Sequence, residues 1–281
     1  MDGMEYVSAL IVFILGLVVG SFLNVVILRY NTGRGFGGRS KCLSCVRTLS
    51  WYELLPLVSF LALRGRCRGC KAKLSVQYFA VELLTAVVFT LTVARLGYLS
   101  TPLDPALLLL LGVIAAFYCA VMAILIVIAV YDLRHFIIPD GLVYTFCLLA
   151  LIRVGLSFLL DVNYPWYVDI VSGALLALFF ASLWYFSRGE WMGFGDAKLA
   201  LGIGWFLPFS QNVSAVLIAI WSGAAIGLLV ILVNYLRGRR RGFTIQSQIP
   251  FAPFLIAAFF LTFLFEISFS SILPYFSIGP F

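Results

Sequence analysis

Long, unbroken apolar runs constrain this chain more than any other feature. A helix needs about 20 mostly apolar residues to cross the hydrocarbon layer of a bilayer. Only helices or closed barrels satisfy every backbone group there. The runs are continuous and do not alternate in ten-residue strands, so helices are expected. We read eight spans: Val7 to Leu28, Leu74 to Leu96, Ala106 to Tyr131, Leu142 to Leu160, Val168 to Phe186, a short one from Ala197 to Leu207, Val213 to Leu236, and Phe251 to Phe269. Pro208 closes the sixth. Composition agrees: 63% of the 281 residues are hydrophobic and 11% charged, where a soluble domain has about 25% charged. One aqueous core cannot absorb that surface.

Basic residues set the orientation. The segment from Arg29 to Lys73 holds ten Lys and Arg against one acid, Glu53, and Arg134, Arg188, Lys198, Arg237, Arg239, Arg240 and Arg241 add seven. With eight spans, all seventeen fall on one side, which the positive-inside rule makes the cytoplasm. Asp2, Glu5, Asp104, Asp161 and Asp169 then lie opposite, with both termini. Asp2 and Glu5 replace the basic start of a signal peptide, so none is expected. The +7 net charge follows from topology and anionic headgroups. Nucleic-acid binding is not needed to explain it.

Only the stretch from Arg29 to Lys73 is long enough to fold outside the membrane. Gly33, Gly35 and Gly38 match the dinucleotide fingerprint formally, but that motif needs a preceding strand and a following helix. A hinge after the first span fits better. No internal repeat is expected. Cys42-Leu-Ser-Cys45 and Cys67-Arg-Gly-Cys70 follow, two C-x2-C pairs at the spacing of a zinc ribbon or knuckle. Arg39, Lys41, Arg66, Arg68 and Lys71 would help keep the thiols ionised, and a reducing cytoplasm favours metal over crosslinks. Four thiolates leave no open position, so the zinc is read as structural. An inverted topology would favour two disulfides instead. Cys119 and Cys147 lie in apolar spans and read as packing residues.

Charges at a bundle edge call for a functional reason. Asp132 ends the third span in Tyr131-Asp132, ahead of Ile138-Pro139-Asp140, and Asp196 opens the sixth in Gly193-Phe-Gly195-Asp196-Ala-Lys198. Helices meeting from one face can bring these carboxyls to similar depth. Two facing carboxylates in a low-dielectric site do not both ionise readily, so one serves as acid and the other as base. In peptide hydrolysis the base activates a water, while the acid polarises the carbonyl and assists the leaving amine. Gly193 and Gly195 would clear room for an extended substrate backbone. Plainer roles stand beside these: Asp140 as a helix N-cap, Asp196 as another cap with Lys198 as its surface partner, and His135 as interfacial packing.

At this point the residues resemble a family, the bacterial type IV prepilin peptidases. The likeness runs through Gly20-Ser-Phe-Leu-Asn24, the four-cysteine loop with Trp51 to Pro56, Tyr78-Phe-Ala-Val-Glu82, Tyr131-Asp132 to Asp140, Gly193 to Lys198, and Ile249-Pro-Phe-Ala-Pro253-Phe. Leu43-Ser44 stands where the family often has proline, and Ala252 where glycine is common. The resemblance implies a Gly-x-Gly-Asp aspartyl protease whose catalytic pair is Asp132 and Asp196. It implies cleavage of a short basic prepilin or pseudopilin leader on the cytoplasmic side, after glycine. It further implies S-adenosylmethionine-dependent methylation of the new N-terminus, with the first loop contributing. The expected protein is therefore an all-α, multi-pass inner-membrane enzyme: a first helix over 1–28, a cytosolic four-cysteine zinc loop over 29–73, and a protease bundle over 74–281. The presenilin and signal-peptide-peptidase class shares Tyr-Asp and Gly-x-Gly-Asp but lacks the cysteine loop and the Ile-Pro-Asp extension. A proton-coupled transporter would place its acids at mid-membrane depth.

Overall fold

The computed structural model describes residues 2–33, 35–42, 44–97, 105–161, 164–236 and 250–268. Asp104, the cluster Arg237 to Arg241, Ile249 and Phe269 lie outside the described residues, as do the side chains of Asp2 and Glu5. Among the described residues the chain is helical, with two isolated β-bridges and no strand. It divides into two compact units, Met1–Val127 and Ile128–Phe281.

The first unit contains α1 (Asp2–Arg29), a 3-10 turn (Trp51–Leu54), α2 (Val58–Ala62), α3 (Val76–Arg95) and most of α4 (Pro105–His135). Between α1 and α3, small residues set the distance: a Cβ on Gly16 would fall 2.5 Å from Ala86 Cα, and one on Gly20 2.8 Å from Glu82 Cα. This is the Gly-x-x-x-Gly spacing that lets membrane helices approach closely. One turn further, buried Asn24 donates to the Tyr78 carbonyl at 3.2 Å and accepts from Gln77 at 3.4 Å. Gly33 to Gly38 has no strand before it, and a Cβ on Gly33, Gly35, Gly37 or Gly38 would meet nothing. The Arg29 guanidinium instead donates to the Gly35 and Gly37 carbonyls, folding this loop back onto the end of α1.

The second unit holds the last turns of α4, then α5 (Asp140–Leu160), α6 (Trp166–Phe186), α7 (Phe194–Phe206), α8 (Phe209–Leu236) and α9 (Ala252–Phe265). At its centre is α7, which touches α5, α6, α8 and α9. Beyond its first turn, which carries Asp196 and Lys198, its sequence is apolar and rich in small residues, as a helix with neighbours on several sides requires. A Cβ on Gly204 would fall 2.4 Å from Gly173 Cα, so α6 and α7 meet backbone to backbone. Phe146, Phe206, Phe259 and Phe263 fill the other side. The last carbonyls of α7 are satisfied by Asn212, which donates to Gly204 O at 3.0 Å and Leu207 O at 3.1 Å. Where α5 runs into α6, Arg153 pairs with Asp169 at 2.6 Å and the Tyr164 hydroxyl donates to the same carboxylate.

Among the described residues six helices are long and apolar enough to cross a membrane: Tyr6–Arg29, Val76–Arg95, Leu107–His135, Asp140–Leu160, Trp166–Phe186 and Phe209–Leu236. These match six of the eight expected spans. The remaining two, Ala197 to Leu207 and Phe251 to Phe269, are found as α7 and α9, of 13 and 14 residues. Both fall short of the usual crossing length. The chain is thus an all-helical, multi-pass membrane protein.

Candidate functional site

Two acids are buried together in the second unit. Asp132, in the last turn of α4, is 4% exposed, and Asp196, in the first turn of α7, is 5% exposed. They lie within electrostatic reach of each other. The Asp132 carboxylate accepts a hydrogen bond from the backbone N–H of Ala252, the first residue of α9. Asp196 reaches back to accept from the Gly193 N–H, as an acid at the third helical position does. Its Oδ1 is fully buried with no hydrogen-bond partner among the described residues. A buried carboxylate oxygen without a donor is costly. Beside a second acid, such an oxygen can accept a hydrogen bond from a water or another protonated group.

The surrounding residues correct three expectations. Asp140 is not the N-cap of α5: Pro139 occupies that position and Asp140 is the first helical residue. Asp196 is not the cap of α7 either, because Gly193 is. Lys198 partners Asp140 at 2.8 Å, tying the start of α7 to the start of α5 and leaving Asp196 without a cation among the described residues. The two glycines have separate roles. A Cβ on Gly195 would lie 3.0 Å from Ile138 Cβ, so Gly195 lets the Ile138-Pro139 turn close over α7. Beside Gly193 the nearest atom is Asp196 Oδ2 at 3.8 Å, so that side stays open. His135 is exposed and lies against the Tyr131 ring, 4.4 Å between centroids. Cys147 faces the Lys198 carbonyl at 3.7 Å, which is packing. The Ala252 contact escaped sequence reasoning, although Pro250 and Pro253 mark a helix start there.

In the first unit the four cysteines converge. All four sulfurs lie within 4.8 Å of one another, with Cys42 and Cys70 at 3.8 Å, and none is in a disulfide. Metal–sulfur bonds of about 2.3 Å in a tetrahedron put sulfurs about 3.8 Å apart, so this donor set fits a metal ion. No internal repeat was expected, yet the two arms are a repeat at a spacing of 25 residues. Cys42 N–H donates to Arg47 O and Cys67 N–H to Ala72 O; Val46 N–H donates to Cys42 O and Lys71 N–H to Cys67 O; Leu49 N–H donates to Ser40 O and Leu74 N–H to Gly65 O. The bridges Lys41–Thr48 and Arg66–Lys73 coincide too. Val46 and Lys71 both take a left-handed φ of 58° to close each turn. The sequence signal was [Lys/Arg]-Cys-x-x-Cys-x-x-x-Leu-Ser at 41–50 and 66–75. Within each turn, backbone N–H groups point at the first sulfur. Cys45 and Ser44 lower the Cys42 thiol to about 6, and Cys70 and Gly69 lower Cys67. The first sulfur of each arm is thereby prepared to bind as a thiolate, whereas the Cys70 thiol, despite the Ala72 N–H, is pushed up to about 11 by burial and by the other cysteine sulfurs.

Comparison with known proteins agrees with this layout. Residues 14–96 match the Bacterial Peptidase A24 N-terminal domain, and residues 119–228 match the Type IV leader peptidase family. A prepilin leader peptidase/N-methyltransferase of Myxococcus xanthus is 34% identical over 251 residues, covering 87% of this chain and 70% of that protein. Its counterpart in Bacillus subtilis is 32% identical, covering 91% and 93%, and one in Burkholderia pseudomallei is 32% identical, covering 91% and 84%. No solved structure matches. On this evidence the chain is an enzyme that belongs to the type IV leader peptidase family.

Proposed function

We propose that Asp132 and Asp196 are the catalytic pair of an inner-membrane endopeptidase that removes the basic leader of type IV prepilins or pseudopilins, after glycine, on the cytoplasmic side. The observation that carries this reading is the buried, adjacent pair, one acid anchored by the α9 backbone and the other with a bare oxygen. Asp132, already accepting from Ala252 at the positive end of α9, suits the ionised member. It takes a proton from water, whose oxygen bonds to the scissile carbonyl carbon. Asp196 carries the proton that supports the carbonyl oxygen. As the tetrahedral intermediate collapses, Asp132 passes the proton it took from water to the amide nitrogen, the C–N bond breaks, and Asp196 recovers its proton from the hydroxyl formed at the carbonyl. The open side at Gly193 admits the substrate backbone.

In this reading residues 1–28 form the first of eight spans, 29–73 a cytosolic segment and 74–281 the protease bundle, with both termini periplasmic. Cys42, Cys45, Cys67 and Cys70 hold a structural Zn2+, whose chemistry is to fix the fold of that segment. S-adenosylmethionine supplies the methyl group for the new N-terminal amine, with the four-cysteine segment contributing; the relatives' names support this second activity. The test is leader removal from a prepilin by purified full-length enzyme. Asp132→Asn and Asp196→Asn each abolish cleavage while the protein stays folded and membrane-inserted. Cleavage at wild-type rate by either variant would overturn the assignment.

A further inference from the structure

The segment joining α1 to α3 carries an apolar surface that the rest of the structure leaves uncovered. Trp51, Leu54, Leu55, Val58 and Leu61 are all exposed, Trp51 at 76%, Val58 at 61% and Leu61 at 63%. Val58 and Leu61, three apart, share a face of α2. The one acid nearby, Glu53, is buried and held by Arg47 and the Ser50 N–H. Nothing on this surface suits water.

Depth decides what covers it. α3 has 20 residues, Val76–Arg95, and at 1.5 Å per residue needs its whole length to cross about 30 Å of hydrocarbon. The Leu57 N–H donates to Glu82 Oε2 at 2.9 Å. Glu82 lies six residues into α3, about 9 Å along its axis. Phe60 of α2 stacks against Phe79 of α3, 5.6 Å between centroids. The start of α2 is therefore pinned beside the first turns of a membrane-spanning helix. That is the depth at which interfacial helices lie, about 5–10 Å into the headgroup and acyl boundary.

Charge identifies the lipid. Immediately after α2, Arg64, Arg66, Arg68 and Lys71 line a cavity of about 510 Å³ with Ala62, Leu63 and Cys67, the last with its sulfur in the cysteine cluster. None of the four has an acidic partner among the described residues; Arg68 is held by the Tyr52 hydroxyl and ring. A four-cation cavity opening beside an apolar helix face fits a phosphodiester with attached acyl chains. We propose that residues 51–71 form an interfacial element seated in the leaflet, with Trp51, Val58 and Leu61 among the acyl chains and the cavity holding the phosphate of an anionic phospholipid.

The test uses full-length protein in nanodiscs of phosphatidylcholine with or without phosphatidylglycerol. The contribution of Trp51, taken as the difference between wild type and Trp51→Phe, is quenched by lipids brominated near the carbonyl end of the acyl chain. Native mass spectrometry of protein released from mixed discs shows retained phosphatidylglycerol, reduced at least threefold in the Arg64→Gln, Arg66→Gln, Lys71→Gln variant. Metal content reports whether that variant keeps its cysteine cluster. Val58→Ser with Leu61→Ser, neither of which lines the cavity, reduces Trp51 quenching independently. The inference falls if Trp51 is unquenched in discs, if the cation variant retains phosphatidylglycerol with metal intact, or if the serine variant leaves quenching unchanged. It falls equally if millimolar inorganic phosphate displaces the lipid, which would make the cavity a site for free anions. None of these outcomes depends on peptidase activity.

Discussion

The cysteine cluster and the carboxylate pair solve opposite problems. Each cysteine arm is local: its turn, its left-handed residue and its N–H groups aimed at sulfur all lie within ten residues. The carboxylates come from α4 and α7 and meet only because a central helix is packed on every side. In the cluster the donors and sulfurs match one another. In the pair one buried oxygen has no partner among the described residues. On the proposed reading, a site that holds a fold completes its interactions, whereas one that reacts keeps some of its capacity for a substrate.

The sharpest way to break this comparison is to remove one group from each site. Asp196→Asn should lower leader cleavage about 10³-fold, the scale of a lost general acid or base, yet leave the thermal midpoint unchanged or higher, because the amide removes one member of a buried acid pair. Cys42→Ser should do the reverse to its own region: metal content falls from one ion per chain to none, and trypsin cuts between Arg64 and Lys73 at least tenfold faster. A drop in thermal midpoint for Asp196→Asn, or retained metal for Cys42→Ser, would collapse the distinction.

A second comparison is between glycines. Gly204→Ala forces a methyl against Gly173 Cα and should cost about 3 kcal/mol in denaturant unfolding, the upper range for overpacking. Gly193→Ala, with only open space and a carboxylate oxygen nearby, should cost almost nothing in stability while slowing cleavage of long substrates. Equal effects on stability would remove Gly193 from the substrate side of the site.

Glu53 offers a pH test of the first unit. The Ser50 N–H and the Arg47 guanidinium hold its carboxyl below the ordinary 4.5. Its contribution is therefore complete above 4.5 and disappears as pH falls through the lower folded value. Hydrogen exchange across residues 41–73 should be faster in Glu53→Gln than in wild type at pH 7, and the gap should close in acid. A gap that persists there would mean the difference comes from packing.

The smallest effect belongs to Lys198 and Asp140. The Asp140 side chain is 55% exposed, so a double-mutant cycle should return about 0.5 kcal/mol of coupling in stability. A coupling of several kcal/mol would mark the pair as part of the site's framework.

What the sequence revealed follows the same division. Runs of apolar residues gave the six long helices, and C-x2-C spacing gave the four-cysteine cluster, because both signals are local. The role of Asp140 was misread because Pro-Asp before a helix looks like a cap, and only the fold brings Lys198 opposite. Gly195 was legible as important but not as the seat of Ile138, and the Ala252 donor to Asp132 was invisible, since backbone groups leave no mark in composition. The duplicated arms were missed for another reason: only the cysteines, a leading base and a trailing Leu-Ser survive as identities, while the repeat itself is written in hydrogen bonds.

One last consequence comes from the length of α7. Thirteen residues rise about 20 Å, some 10 Å less than the hydrocarbon layer. Wrapped by four neighbours, this helix has no lipid to match and is free to stop short. Its length is therefore set by the protein around it and not by the thickness of the bilayer.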